Sequence, residues 1–451
     1  MEKFDLIIIG GGRASNLAVS AAKKGEKVAI IEKSILGGTC PNRGCIPSKL
    51  LIGHAHVART IRDSQRHFID SEIKSIDLEK IFETNNEFLA GVEANSKKRF
   101  PEGVTIFEGT GSFVAEKEVQ VNGTTLTADK IVIATGGRPR KTLHEKAWTS
   151  DDIFPLKGKI PKSVTIVGAG FIGVELANFF SGIGVHTTLV SNSTELLNRE
   201  DEEIRAIFKE EFIKHVDVKF ETKLSQIDFT DNVFNIEFEG VDGAKTMHKT
   251  DALIEATGRI PNTDNLKLEN TSITLNKFGY VERNEFCETN VKGVYAVGDV
   301  SSKFALQHIA THEVAYLTNH LYENENKPLT YKYVPHAVFT DPEIASVGIT
   351  EQEAKAQGLK YVTATTGWSS AKALSMRLKY PRTKFIVNPD TYEILGCHLI
   401  GPESSTMIHQ VLAVMHIDND IRHLRSMMHV HPALNEVILA GAAQVITKIN
   451  S

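Results

Sequence analysis

Two strand–glycine–helix fingerprints, two apolar strands ending in Ala-Thr-Gly and one Gly-Asp step predict an α/β chain with two Rossmann-like dinucleotide-binding units. Leu6-Ile7-Ile8-Ile9 reads as a buried parallel strand. Gly10-Gly11-Gly12-Arg13-Ala14-Ser15 then opens a helix whose apolar face carries Leu17, Ala18, Ala21 and Ala22. A second strand, Val28 to Ile31, ends in Glu32, at the distance from the glycines that ribose recognition requires. Gly10 makes the tight turn, and Gly12 lets backbone N–H groups approach a pyrophosphate. Ser15 stands where a third glycine is usual, and its small side chain is the tolerable substitute.

The second copy is complete. Val164-Thr165-Ile166-Val167 leads into Gly168-Ala169-Gly170-Phe171-Ile172-Gly173 and a helix through Leu176, Ala177 and Phe180. The strands Lys130–Ala134 and Ala252–Ala256 run on into Thr135-Gly136 and Thr257-Gly258, and each would close its own nucleotide unit. Val294 to Val297 is the strand that delivers Gly298-Asp299, whose carboxylate is placed to accept hydrogen bonds from a ribityl or other polyol chain.

A chain of 451 residues calls for two to four domains. Hydrophobic content of 41 % with 24 % charged residues is that of a soluble globular protein, and a net charge of −5 offers no basic footprint for nucleic acid. No apolar run reaches the roughly 20 residues of a membrane span. Met1-Glu2-Lys3-Phe4-Asp5 has no signal-peptide pattern, so the expected location is the cytoplasm.

Four cysteines are too few for a secreted disulfide scaffold. Cys287 and Cys397 stand alone and are expected to be buried and structural. Cys40 and Cys45 are different. They share the loop Gly37-Gly38-Thr39-Cys40-Pro41-Asn42-Arg43-Gly44-Cys45-Ile46-Pro47-Ser48-Lys49, shortly after the first fingerprint. Such a pair can be bridged only where the backbone leaves regular helix, which Pro41 and Gly44 permit. The helix expected to follow would stabilise a thiolate on Cys45 at its N-terminus. Zinc is the rival reading, but no second ligand pair lies nearby, and His54 and His56 fall on different faces of that helix.

These motifs, with Cys-x4-Cys after Gly-Gly-Thr and the C-terminal His429-Val430-His431-Pro432-Ala433-Leu434-Asn435-Glu436, resemble the flavin-dependent pyridine nucleotide-disulfide oxidoreductases over nearly the whole chain. The resemblance implies an FAD-binding domain at 1–149, an NAD(P)H-binding domain at 150–264, a return of the FAD-binding domain at 265–332 and an α+β interface domain at 333–451. It implies a homodimer whose partner supplies His431. By resemblance Cys45 is the flavin-proximal thiol and Cys40 the interchange thiol, and Lys49 pairs with Glu175 and polarises the flavin. His431 is the acid/base, oriented by Glu436, and His429 is structural. FAD would be held by Gly10, Gly12, Ser15, Glu32, Gly38, Thr39, Thr135, Gly136 and Asp299. The nicotinamide nucleotide would lie on Gly168, Gly170, Gly173, Ser191, Asn192 and Gly258.

The second nucleotide strand ends in Ser191 where an NADH enzyme carries an acid. With no carboxylate to repel a 2′-phosphate, and Ser191 and Asn192 able to donate to one, NADPH is expected and NADH is the alternative. Ala440 to Ser451 contains no cysteine, unlike mercuric reductases and the thioredoxin reductases with a C-terminal pair. Ser20 replaces the substrate-binding arginine of glutathione reductases. Gly298-Asp299-Val300-Ser301-Ser302, Val338-Phe339-Thr340-Asp341-Pro342 and His431-Pro432-Ala433-Leu434 most resemble mycothione reductases, which implies a low-molecular-weight disulfide substrate. The alternatives are a dihydrolipoamide dehydrogenase and a flavin-bound redox sensor.

Overall fold

The computed structural model describes residues 1–156, 159–302 and 304–451. Its first sheet sets Val104–Glu108, Val28–Glu32, Glu2–Ile9 and Thr124–Ile133 side by side, all parallel, with Val294–Ala296 joining the last of them. The apolar run at the N-terminus is continuous because both faces of its strand are covered. Leu6 and Ile8 pack with Leu17, Ala18, Ala21, Val314 and Leu317 on the helical side. Ile7 and Ile9 pack with Phe113, Val119 and Leu126 on the other, where Ser112–Ala115 and Glu118–Val121 form a meander.

The second sheet repeats the plan. Asp217–Lys219, His186–Val190, Ser163–Val167 and Ala252–Glu255 are parallel in that order. A three-stranded meander, Thr222–Thr230, Val233–Gly240 and Lys245–Thr250, precedes the last strand. In both sheets the strand before the fingerprint is where the winding reverses, so a crevice opens at its C-terminal end. Arg259–Pro261 pairs with Gly137–Pro139 and joins the two units just beyond their Ala-Thr-Gly turns. A five-stranded antiparallel sheet, Pro335–Val338, Ile344–Gly348, Ile394–Ile400, Arg382–Val387 and Val362–Gly367, packs with the helices Ser404–Ile417 and Glu436–Asn450. Among the described residues no helix is long and apolar enough to cross a membrane.

The two fingerprints differ where their sequences differ. In the second, the helix begins at Phe171, and a Cβ on Gly173 would stand 1.8 Å from the Gly168 carbonyl oxygen. In the first, Ser15 cannot make that approach, and the helix starts only at Ser15 itself. Its Oγ donates to the Gly12 carbonyl at 2.6 Å, and the turn before it closes through Ser15 N–Gly12 O, Asn16 N–Arg13 O and Leu17 N–Ala14 O bonds. The serine therefore exchanges a turn of α-helix for a tighter three-residue turn.

The cysteine loop is also more helical than the sequence suggests. Thr39–Arg43 forms a short helix, Gly44 breaks it at φ −147° and ψ −111°, and Cys45–Arg62 follows. This second helix crosses the fingerprint helix Phe171–Gly182 at Gly182. A Cβ there would lie 2.6 Å from the Ala55 Cβ and 3.1 Å from its Cα. Around the crossing one apolar cluster draws Leu51, Phe82, Phe179, Phe180, Val338 and Ile344 from separate parts of the chain. Gly182→Val should cost about 1–3 kcal/mol by overpacking this contact. Urea unfolding checks it, and a stability equal to wild type would show that the helices need not approach so closely.

Candidate active site

The two crevices are built alike. Gly10 has φ +115° and Gly168 φ +117°. A Cβ would stand 2.2 Å from the Ala134 carbonyl oxygen at the first and 2.4 Å from that of Ala256 at the second, so each fingerprint glycine lies against its own Ala-Thr-Gly strand. Gly136, Gly170 and Gly258, by contrast, face open space, and a Cβ on any of them would meet no atom within 4 Å. Bare backbone on an open crevice is what a nucleotide needs to approach main-chain N–H groups. The first crevice is lined by Gly10, Glu32, Gly111, Thr135, Arg138 and Asn262. Glu32 holds its floor by accepting from Gly11 N and Ser34 N, each at 2.7 Å. Thr135 and Asn262 bond reciprocally, each side chain to the other's backbone carbonyl at 2.8 Å.

The cysteine loop is seated directly on the first fingerprint. A Cβ on Gly38 would lie 2.8 Å from the Gly12 Cα, and Gly37 N donates to the Gly11 carbonyl. Buried Asn42 ties the loop to itself by donating to the Leu36 and Gly38 carbonyls. Thr39 is exposed at the start of the short helix. Cys40 and Cys45 are free thiols, close enough for a hydrogen bond between them. That hydrogen bond is the main reason the Cys45 thiol falls to about 7, against the opposing effect of burial, with help from Lys49 and the helix-start backbone N–H. Cys40 is pushed far up by the same bond, by burial and by the negative charge on Cys45. The interaction between the two thiols therefore pushes them in opposite directions, Cys45 down and Cys40 up.

Lys49 lies one turn beyond Cys45 and donates to the Glu175 carboxylate at 2.7 Å. Glu175 is only 5 % exposed, and its other oxygen accepts from Phe339 N at 3.0 Å. The Lys49 ammonium also stands 4.5 Å from the Phe339 ring centroid. Nothing in the sequence marks Phe339 for this position, because a backbone donor leaves no trace in residue type. Asp299 sits below the joined Ala-Thr-Gly turns, 3.8 Å from the Arg259 guanidinium, with its carboxyl raised by burial. Gly298 N donates to Glu313, which is fully buried and also takes Arg283 at 2.6 Å and the Tyr331 hydroxyl at 2.6 Å. The sequence signal for Glu313 was an acid among the apolar positions Ile309, Val314 and Leu317 of one helix.

At the second crevice Ser191 turns inward. It is 2 % exposed and its Oγ accepts from Ser193 N at 3.1 Å, whereas Asn192 and Thr194 beside it are exposed. In the C-terminal region, His431 Nδ1 meets Glu436 Oε1 at 2.8 Å, and Glu436 also accepts from Ala433 N. A carboxylate only accepts, so Nδ1 carries the proton and Nε2 is left free. His431 side-chain exposure is 76 %, and neither cysteine of its own chain is among its partners. His429 bonds Gln410 and the Met427 carbonyl. Cys287 and Cys397 are buried, with Cys287 pushed up to about 12 by burial. Among the described residues no cluster of His, Cys, Asp or Glu is arranged to hold a metal.

The comparisons with known proteins match this geometry. Residues 4–315 match the pyridine nucleotide-disulphide oxidoreductase family and residues 334–441 its dimerisation domain. Dihydrolipoyl dehydrogenase of Bacillus subtilis is 31 % identical, the match covering 97 % of this chain and 96 % of the relative. The mitochondrial dihydrolipoyl dehydrogenase of Pisum sativum is also 31 % identical, over 99 % of this chain and 92 % of the relative. The Cu(II) complex of the HOCl-induced flavoprotein disulfide reductase RclA from Escherichia coli superposes with a TM-score of 0.87 at 27 % identity, over 99 % of this chain and 100 % of that one. Crevices, cysteine pair and relatives agree: the chain belongs to the pyridine nucleotide-disulphide oxidoreductase family, FAD-dependent enzymes that work with NAD(P)H.

Proposed function

We propose that the enzyme passes electrons from NADPH through FAD and the Cys40–Cys45 pair to a low-molecular-weight disulfide. The seating of the cysteine loop on the first fingerprint, with the Lys49–Glu175 ion pair one turn beyond Cys45, is the observation that carries this reading. Residues 1–149 and 265–332 would hold FAD, 150–264 the nicotinamide nucleotide, and 333–451 the dimer. Bound FAD supplies the two-electron carrier between nicotinamide and cysteines. The Lys49–Glu175 pair would set a fixed positive charge beside it, with Cys45 as the thiol nearest the flavin. Gly10, Gly12, Gly38, Thr39, Thr135, Gly136 and Asp299 would position FAD, and Gly168, Gly170, Gly173, Gly258 and Asn192 the nicotinamide nucleotide.

Cys40 cannot attack a disulfide until it loses its proton, which the charge on Cys45 opposes. The free Nε2 of His431, reaching in from a partner subunit, is placed to take that proton, and Glu436 would stabilise the resulting imidazolium. The Cys40 thiolate then attacks one substrate sulfur, forming a mixed disulfide as the substrate S–S bond breaks. His431 returns its proton to the departing thiolate. Attack of the Cys45 thiolate on Cys40 closes the Cys40–Cys45 disulfide and releases the second half of the substrate as a thiolate, which takes its proton from solvent.

The relatives' names favour a second reading, dihydrolipoamide oxidation. Ser191, standing where an acid would bind the NAD ribose, weighs against it. A panel of small disulfides, dihydrolipoamide and Cu(II), assayed with both nicotinamides, separates the readings. NADPH-driven turnover of a small disulfide is expected, and faster NAD⁺ reduction by dihydrolipoamide would replace the proposal.

Cys40→Ser should lower disulfide turnover by at least about 10³-fold, since no second nucleophile can form the mixed disulfide. His431→Ala should lower it by about 10²–10⁴-fold at neutral pH while flavin reduction by NADPH stays fast; a near-normal rate removes it as acid/base. The reduced protein should lose a single thiol proton with a midpoint near pH 7, read as thiolate ultraviolet absorbance against the double cysteine-to-serine variant. Because Lys49 favours the charged form, Lys49→Met should move that midpoint upward, and a downward move contradicts the assignment.

A further inference from the structure

The helix Gln307–Tyr322 buries a carboxylate, Glu313, with no exposed side-chain surface. Its two oxygens serve different neighbours. One accepts from Gly298 N at 2.5 Å, and the other takes Arg283 Nη2 and the Tyr331 hydroxyl, each at 2.6 Å. Arg283 Nη2 also donates to the Tyr331 oxygen at 2.7 Å, so this hydroxyl accepts from the cation and donates to the acid. Gly298 opens the turn that presents Asp299: it has φ +75°, and its carbonyl accepts from Ser301 N and Ser302 N. On its other side Asp299 lies against the first Ala-Thr-Gly turn, where a Cβ on Gly137 would stand 3.5 Å from the Asp299 Cβ. Tyr331 belongs to segment 323–334, which runs back along the helix to the strand Pro335–Val338. His308, His312, Tyr316 and His320 lie four residues apart on one helix face. They donate in turn to the carbonyls of Pro335 at 2.9 Å, Thr330 at 3.0 Å, Lys327 at 2.9 Å and Glu325 at 2.6 Å.

A buried ion pair is weak evidence for stability, because well-packed apolar side chains often serve as well. Apolar side chains cannot, however, accept a main-chain N–H and a tyrosine hydroxyl at once. We propose that Glu313 is a positioning residue that holds the Gly298–Asp299 turn and ties it through Tyr331 to segment 323–334, so that FAD binding and the seating of this segment reinforce each other. The proposal rests on the reading of Asp299 as an FAD residue and adds a coupling between that turn and the five-stranded region. Such coupling is reciprocal: the affinity that FAD gains from a seated segment is the order that the segment gains from FAD. The tie also leads toward the ion pair of the site, since Phe339, whose N–H holds Glu175, follows the strand Pro335–Val338 directly.

The test uses full-length wild type, Glu313→Gln, Tyr331→Phe and Lys384→Met. The last breaks a buried ion cluster in the five-stranded sheet and controls for lost stability. Apoprotein is titrated with FAD by fluorescence quenching, and amide hydrogen exchange over 323–334 is compared with and without FAD. Glutamine keeps the shape of Glu313 but turns one acceptor into a donor, so either Gly298 N or the Arg283–Tyr331 pair loses its partner. Glu313→Gln should raise the FAD dissociation constant by about 10-fold or more, on the scale of one lost charge-assisted hydrogen bond, and by more than Lys384→Met does. In wild type FAD should slow exchange over 323–334 by about 10-fold, on the scale of a typical coupling between sites. Tyr331→Phe keeps the bond from Gly298 N to Glu313, and should still bind FAD while losing that slowing. A tyrosine of merely structural role would speed exchange alike in the loaded and unloaded protein. Should Glu313→Gln not fold, the exchange comparison between wild type and Tyr331→Phe decides. The proposal is overturned by a Glu313→Gln dissociation constant no higher than that of Lys384→Met, or by full slowing retained in Tyr331→Phe. Wild type that binds no FAD defeats the flavin reading itself, whereas FAD bound with exchange over 323–334 unchanged defeats the coupling alone.

Discussion

The contact of Gly182 with Ala55 holds the cysteine helix against the helix of the second fingerprint, and most of the site depends on it. Roughly two turns back along each helix, the same alignment sets Lys49 against Glu175. Glu175 in turn receives Phe339 N, and Asn178 of the same helix receives Asp341 N, so the five-stranded region is tied to the crossing as well. A glycine is required there for space and not for backbone freedom. Three parts of the chain with separate sheets thus share one apolar cluster and one ion pair.

Around that crossing the chain uses one nucleotide-binding plan twice and then departs from it. Both copies set a left-handed glycine against the carbonyl of an Ala-Thr-Gly strand, which is why the two sequence repeats travel together. The departure is Ser15. In a packed turn a serine costs space, and the structure answers by delaying the helix and using the hydroxyl twice, once toward Gly12 and once for Arg99. The first fingerprint therefore carries Arg13 where the second has Phe171, and holds Arg99 through Ser15.

The charge distribution explains the direction of the chemistry. A cysteine at the start of a helix, hydrogen-bonded to a second thiol and facing an ammonium, is the better thiolate, and that is Cys45. Cys40 is pushed the other way, so on the proposed reading its activation would come from outside the pair. An exposed imidazole with its Nδ1 already committed to Glu436 would suit that need.

What the sequence determined by itself was everything enforced locally. The pairing of His431 with Glu436 was implied by the family resemblance; fingerprint spacing and the apolar strands follow from residues a few positions apart. Their backbone conformations are limited by sterics wherever they occur. Tertiary structure decided the rest. The inward turn of Ser191, the backbone donor at Phe339, the buried Glu313 beneath Gly298 and the placing of Arg13 and Arg99 all depend on partners far away in the chain. Such contacts are set by which surfaces pack together, and residue type at one position does not carry that information.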